Sequence, residues 1–263
     1  MNRFQDFLEL DYAYYLTFTE RIDTTWGALF CNEKQADYYD ANHAHITEEV
    51  RDPQAVIDEV IRFYESRNIT PRFYIYNLEL QANLLNALEA NQFRSEEMIS
   101  PVQLWDGRLD MKPLRSGNTV ERVDDRNVQE ALQIECSIQE FGGKETVEKV
   151  FMEQWAHPSY SHYLLRHEGI PVSTACLFEQ NRQARLESVA TLEKFRGKGL
   201  VGELIRYIQH EADLRKVRQL WVFPINEIIE KVYQKYGFQT VDSLKSVHAF
   251  AGGQSIREIR GHE

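Results

Sequence analysis

The sequence predicts a mixed α/β fold in two parts, and three observations predict it. Residues 189–202 run from an apolar stretch through Arg196-Gly197-Lys198-Gly199 directly into an amphipathic helical pattern. From residue 118 onward, short strand-like stretches alternate with segments of 3.6-residue hydrophobic period. The same alternation, poorer in glycine, recurs before residue 111.

Asp52-Pro53 opens a helix in the first half, and Val56, Ile57, Val60, Ile61 and Tyr64 give it one apolar face. A strand at 73–76 follows, then a helix carrying Leu80, Leu84, Leu85 and Leu88, then Phe93 and a strand at 99–105. Residues 110–118 contain Pro113 and Gly117 and read as a linker. The expected domains are therefore 1–111 and 118–263.

Beyond the linker a strand is expected at 119–123, then a helix capped by Asp125 with Val128, Leu132 and Ile138 toward the core. A second helix spans 144–155, and two strands, 160–166 and 172–178, join around Glu168-Gly169. A strand at 186–192 feeds the glycine turn. The helix from Gly199 carries Leu200, Leu204, Ile208 and Ala212 at four-residue steps. Residues 219–223 form the next strand, and Pro224 stops it. Asn226 caps a helix with Ile228, Ile229, Val232, Tyr233 and Tyr236 inward, ended by Gly237. A hairpin of 238–241 and 246–250 is expected to close the fold.

Composition narrows the function. The chain of 263 residues has 41 acidic and 30 basic side chains, a net charge of −11. Residues 1–118 hold 20 of the acids against 11 bases, which disfavours a nucleic-acid partner. No apolar run approaches the ~18 residues of a membrane span. The first residues carry acids where a signal peptide needs an apolar run, so a cytoplasmic, membrane-free protein is expected. Cys31, Cys136 and Cys176 are scattered and read as reduced, partly buried thiols. His43 and His45 lack ligand partners at metal spacing, so a solvated or turn-associated pair and no metal are expected.

The glycine turn carries the chemistry. Gly197, Gly199 and Gly202 allow a close approach of ligand to backbone. The helix N-terminus adds unpaired N–H groups and partial positive charge, and Arg196 and Lys198 add full charges. This suits a diphosphate. A Walker A loop fails because Glu203 follows Gly202. The dinucleotide pattern Gly-x-Gly-x-x-Gly is matched literally, but Glu193-Lys194-Phe195-Arg196 separate it from its strand and too little chain follows for a Rossmann domain.

The turn resembles the acyl-CoA loop of the GNAT N-acetyltransferases, Arg/Gln-x-x-Gly-x-Gly/Ala, through Arg196 and Gly199, with Val201 departing from the small residue of the family. A second signature matches through Asn226, Tyr233, Gly237 and Phe238. The whole order after residue 118 is similar to the GNAT fold. The resemblance implies an enzyme that transfers acetyl from acetyl-CoA directly to a primary amine of a small molecule or protein, without metal. A non-catalytic CoA-binding regulatory protein is the alternative reading.

The resemblance further implies that Val189, Ala190 and Thr191 bind pantetheine along a strand edge. Arg196, Gly197, Lys198, Gly199, Leu200, Val201 and Gly202 would hold the diphosphate, with Asn226 close to the cofactor. Tyr233 would protonate the departing thiolate; its other reading is a core tyrosine. Glu187 is the acidic candidate for base, on the strand face of Val189 and Thr191 if alternation is strict, or a charge meeting solvent at the strand edge. Ser188 and Cys176 lack the sequence context of a nucleophile. The acceptor pocket is expected within 136–165, where Phe141, Trp155, His157, Tyr160 and His162 gather. The first domain reads as a degenerate repeat of the second or as an unrelated α/β accessory domain, and the assembly as a monomer or homodimer.

Overall fold

The first fifty residues, which have no clear period, form helix α1 (Arg3–Tyr15) and strands β1 (Glu20–Thr24), β2 (Gly27–Cys31) and β3 (His43–Ile46). In the computed structural model, which describes residues 3–141 and 143–259, these strands pair antiparallel in sequence. Helix α2 (Pro53–Glu65) then leads to β4 (Arg72–Ile75), which lies parallel to β3. Asp52 caps α2 as its sequence requires: the carboxylate accepts from the Ala55 N–H at 3.1 Å. Val56, Ile57, Val60 and Tyr64 are buried, and α3 (Ala82–Ala90) adds Leu84 and Leu88 to the same core. Leu80 departs from expectation. It sits in a single turn ahead of α3 and is exposed.

His43 and His45 are not solvated. Both rings are buried on the central strand β3, packed on Tyr74 and Tyr76 of the neighbouring strand segment and against Tyr12 and Tyr15 of α1, with Nε2 of one 3.4 Å from Nδ1 of the other. Burial lowers both imidazole pKa values, that of His45 to about 3.

Strand β5 (Arg94–Trp105) crosses to the second half, which runs β6 (Asn118–Arg122), α4 (Val128–Cys136), α5 (Lys144–Ala156), β7 (Tyr160–His167), β8 (Ile170–Gln180) and β9 (Gln183–Thr191). It continues with α6 (Leu200–Leu214), β10 (Gln219–Val222), α7 (Glu227–Gln234) and β11 (Phe238–Phe250). The strand order here is β5-β10-β9-β8-β7-β6, with β9 and β10 the parallel pair. Helix α6 packs Leu204, Ile205 and Ile208 on one sheet face; α4 and α5 cover the other with Leu132 and Phe151. Each such burial contributes about 1.5–3 kcal/mol. Among the described residues no helix is long and apolar enough to cross a membrane.

Two local expectations are corrected. Asn127, not Asp125, stands at the start of α4, because Asp124 takes the Arg126 N–H and gives its own to Asn127 Oδ1, turning the chain before the helix begins. The closing hairpin is one strand, β11. Asp242-Ser243-Leu244-Lys245 offers no glycine, proline or positive φ for a turn.

That long strand also explains how the chain divides. One compact unit is Asp11–Ser100 with Ser243–Glu263; the other is Met1–Leu10 with Pro101–Asp242. In the second unit Gln103 and Leu104 of β5 pair with β10, whereas in the first the end of β11 pairs with β4. Each unit thus takes its closing strand from the other half of the sequence. The units change within β5 and β11, where a linear cut at 111–118 does not fall.

Candidate active site

The parallel pair β9–β10 opens in the middle. Its register ends at Leu186↔Val222, while β9 runs on to Thr191 and the chain after Val222 turns away through Pro224 to Asn226. On its other side β9 stays paired with β8, but Thr174↔Ala190 is followed by Cys176↔Glu187, so Ser188 and Val189 oppose Ala175 alone. Ser188 takes φ +49°, a β-bulge that breaks alternation. Val189 consequently packs in the α6-side cluster together with Leu186, whereas Glu187 pairs across to Cys176. The shared face expected for Glu187, Val189 and Thr191 is overturned by that extra residue. Ala190 packs on the α4 side, and its carbonyl accepts from the Ser173 hydroxyl at 2.6 Å.

The glycine turn follows at once. Gly197 and Gly199 have φ of +76° and +75°, and a Cβ on Gly197 would meet nothing within 4 Å. Gly199 is the N-cap of α6, and no side chain caps the helix, so its first amides point outward from an open cradle. Leu200 is buried and Val201 packs partly against the core, so the valine is directed inward. Gly202 has a packing role as well. A Cβ there would lie 1.9 Å from Tyr236 Oη, so the missing side chain makes room for a phenol. Arg196 donates Nε to the Thr191 carbonyl at 3.1 Å and lies 3.9 Å from Glu140; Lys198 Nζ sits 4.8 Å above the Phe195 ring.

Tyr233 and Glu187 come together. Tyr233 is buried on α7, its ring edge-on to Phe238 at 5.6 Å. Burial, and then the charge of Glu187, push its phenol well above the ordinary value, so it is a neutral donor at any physiological pH. Glu187 accepts from Arg185 Nε, and the Arg185 guanidinium stacks on Phe223 at 4.7 Å. Asn226 caps α7 by accepting from the Ile229 N–H at 3.0 Å.

Trp155, His157, Tyr160 and His162, gathered by sequence, line a cavity of about 540 Å³ with Asp124 and Asp125 at its edge. Phe141 packs instead beside Leu132 and Phe151. His162 also reaches a buried cluster that the sequence left unassembled: its Nε2 is 3.6 Å from Cys176 Sγ, and its Nδ1 is 4.0 Å from Glu135 Oε1. Burial pushes the Glu135 carboxyl up to about 8 and His162 down to about 4. Cys176 has a histidine neighbour after all, yet burial and the nearby Glu135 and Glu187 charges push its thiol up, which makes it a poor nucleophile.

Arg115 was also missed. Its N–H and guanidinium bind Glu203, and a Cβ on Gly199 would lie 3.8 Å from its Nη2. Glu203 is buried and also receives Asn118 Nδ2 at 3.0 Å. Its burial raises the carboxyl pKa, but the hydrogen bonds from Asn118 and Arg115 outweigh that and hold it low. The signal for both acids was available: Glu135 and Glu203 stand within the apolar stripes of their helices.

Residues 128–238 match the model of the acetyltransferase (GNAT) family. No curated protein matches the chain by sequence. A solved GCN5-related N-acetyltransferase from Kribbella flavida superposes with TM-score 0.69 at 17% identity, over 93% of this chain and 94% of that one. A conserved protein of unknown function from Staphylococcus epidermidis gives 0.70 at 13% identity, over 88% and 93%. A GCN5-related N-acetyltransferase from Sphaerobacter thermophilus gives 0.55 at 15%, over 77% and 71%. At these identities the likeness establishes a shared fold.

Proposed function

We propose that this chain, whose residues 128–238 match the GNAT acetyltransferase family, is an N-acetyltransferase that passes acetyl from acetyl-CoA directly to a primary amine of a small molecule or protein. The observation that carries this reading is the opening of β9 from β10 with a bulge at Ser188, set between an uncapped glycine turn and a buried tyrosine. The free edge of Val189, Ala190 and Thr191 receives the amide-bearing pantetheine arm as an added strand. The amides of Gly197 to Gly202, with Arg196 and Lys198, receive the diphosphate, and Arg115 lies beside Gly199 to assist. Asn226 holds the start of α7, and with it the position of Tyr233.

An amine attacking the thioester carbon forms the C–N bond and expels the sulfur. A main-chain N–H freed by the bulge steadies the oxygen as it gains charge. Tyr233 gives the sulfur its proton; burial keeps the phenol neutral, so that proton is present when thiolate charge develops.

The first unit repeats the pattern without the cradle. Its parallel pair β3–β4 flanks α2 as β9–β10 flank α6, and Gln92 ahead of Phe93 has φ +65° where Gly237 ahead of Phe238 has +80°. The start of α2 is instead occupied by the Asp52 carboxylate, which repels a phosphate. These features support a degenerate GNAT-like repeat that holds no coenzyme A.

The test is purified full-length protein with acetyl-CoA. Thermal stabilisation by acetyl-CoA and release of free thiol with a panel of primary amines (an amino-acid amide, a polyamine, an amino sugar) are expected. Stabilisation with no thiol release for any amine favours a binding protein; no stabilisation at all overturns both.

A further inference from the structure

Glu187 stands where the sequence places a base, but Arg185 already binds it. A second carboxyl stands closer to what an amine needs. His162, Cys176 and Glu187 are cross-strand neighbours on β7, β8 and β9, forming one row on the α4 face of the sheet. Glu135 of α4 lies over that row, 3% exposed, and hydrogen-bonds the hydroxyl of Ser188 at the bulge itself. Its Oε1 and the Nδ1 of His162 are both buried and both without a hydrogen-bond partner, 4.0 Å apart. Buried polar atoms are rarely left in that state. A single N–H-bearing nitrogen, or one water, about 2.9 Å from each atom satisfies both at once. His162 also borders the cavity lined by Trp155, His157 and Tyr160, while its Nε2 faces Cys176 Sγ at 3.6 Å.

We propose that Glu135 is the proton acceptor of the transfer and that neutral His162 is the residue that positions it. The inference rests on the acetyltransferase reading and names its base. An ammonium group sheds two protons in becoming an amide nitrogen. One restores the proton that Tyr233 has given to the sulfur; the other goes to Glu135 and is released to solvent as the product leaves. Glu135 must be a carboxylate to begin, and its raised pKa makes it a stronger base than an ordinary glutamate. The groups that face it are His162 on β7, Cys176 on β8, and Glu187 and Ser188 on β9. Cys136 follows on its own helix, set against Lys144 and Glu148 of α5, whose Phe151 and Trp155 pack on His162.

The test is Glu135→Gln in the full-length protein, assayed by thiol release from acetyl-CoA with the amine panel, alongside acetyl-CoA affinity and melting temperature. A fall in kcat of about 10²–10³-fold is expected, with affinity unchanged and the fold intact. The ascending limb near pH 8 should disappear, leaving only the titration of the amine. Glu135→Asp should recover part of the rate, and His162→Gln should lose roughly tenfold and move the same limb. A Glu135→Gln protein that keeps its rate and pH profile overturns the proposal, as does a loss explained by weaker acetyl-CoA binding or a lower melting temperature. A failure of the acetyltransferase reading is distinct: there the unmutated protein releases no thiol.

Discussion

The Glu187 carboxylate lies close enough to the Tyr233 phenol for its charge, after burial, to be the second force holding that phenol protonated. Two residues separated by 46 positions in sequence therefore act as one electrostatic unit at the gap between β9 and β10. Tyr233→Phe keeps the ring, its contact with Phe238 and its burial, and removes only the donor. We expect kcat to fall about 10–10³-fold with KM for acetyl-CoA nearly constant. An unchanged kcat in steady-state thiol release would remove the tyrosine from the chemistry.

The glycines of the turn separate by role. Gly199→Ala places a side chain at φ +75°, costs about 1 kcal/mol in backbone strain, and should raise KM for acetyl-CoA more than it lowers stability. Gly202→Ala does the reverse: its Cβ meets the Tyr236 phenol, so melting temperature should fall, by the equivalent of roughly 1–3 kcal/mol. Pairing it with Tyr236→Leu should return part of that loss. If Gly202→Ala weakens acetyl-CoA binding and leaves stability intact, the assigned roles are reversed.

Glu203 joins Arg115 and the start of β6 at Asn118 to the first turn of α6. Glu203→Ala leaves a guanidinium and an amide without their buried acceptor, which should cost about 2–4 kcal/mol. Arg115→Ala removes an exposed cation near Gly199 and should act differently, raising KM for acetyl-CoA several-fold at low salt and less at high salt. The salt dependence of KM in the two variants separates anchoring from phosphate attraction.

The sequence disclosed what depends on local pattern. The α6 stripe, the Asp52 and Asn226 caps, and the glycine turn all follow from side-chain period and cap chemistry, and the structure reproduces them. What it concealed depends on pairing at a distance. The bulge at Ser188 exists only against β8, and it moved Glu187 off the face that alternation gives it. The strand exchange of β5 and β11 leaves no mark in either segment, so no local pattern points to it. Histidines two apart looked polar enough for solvent, and aromatic side chains from the flanking strands and α1 bury them. Glu135 was visible as an acid in an apolar stripe, but its partners came from three other strands.

The buried Glu135 carboxyl also sets a stability signature that needs no substrate. Its pKa rises from 4.5 to about 8 on folding, chiefly through burial, so the folded protein holds a proton that the unfolded chain gives up. The associated stability is complete below about pH 4.5 and is lost progressively as pH climbs toward 8, at most about 1.4 kcal/mol per pH unit. Glutamine keeps the neutral shape at every pH and escapes that loss. Glu135→Gln should therefore match the parent near pH 4.5 and exceed it by up to roughly 4 kcal/mol at pH 7.5, the upper bound set by that slope. His162, lowered to about 4 by burial, is neutral across most of this window and contributes little to the difference. Denaturant unfolding of both proteins at a series of pH values measures it directly. Parallel stability curves from pH 5 to 8 would mean that Glu135 is already ionised in the folded state, and that its surroundings are wetter than its burial implies.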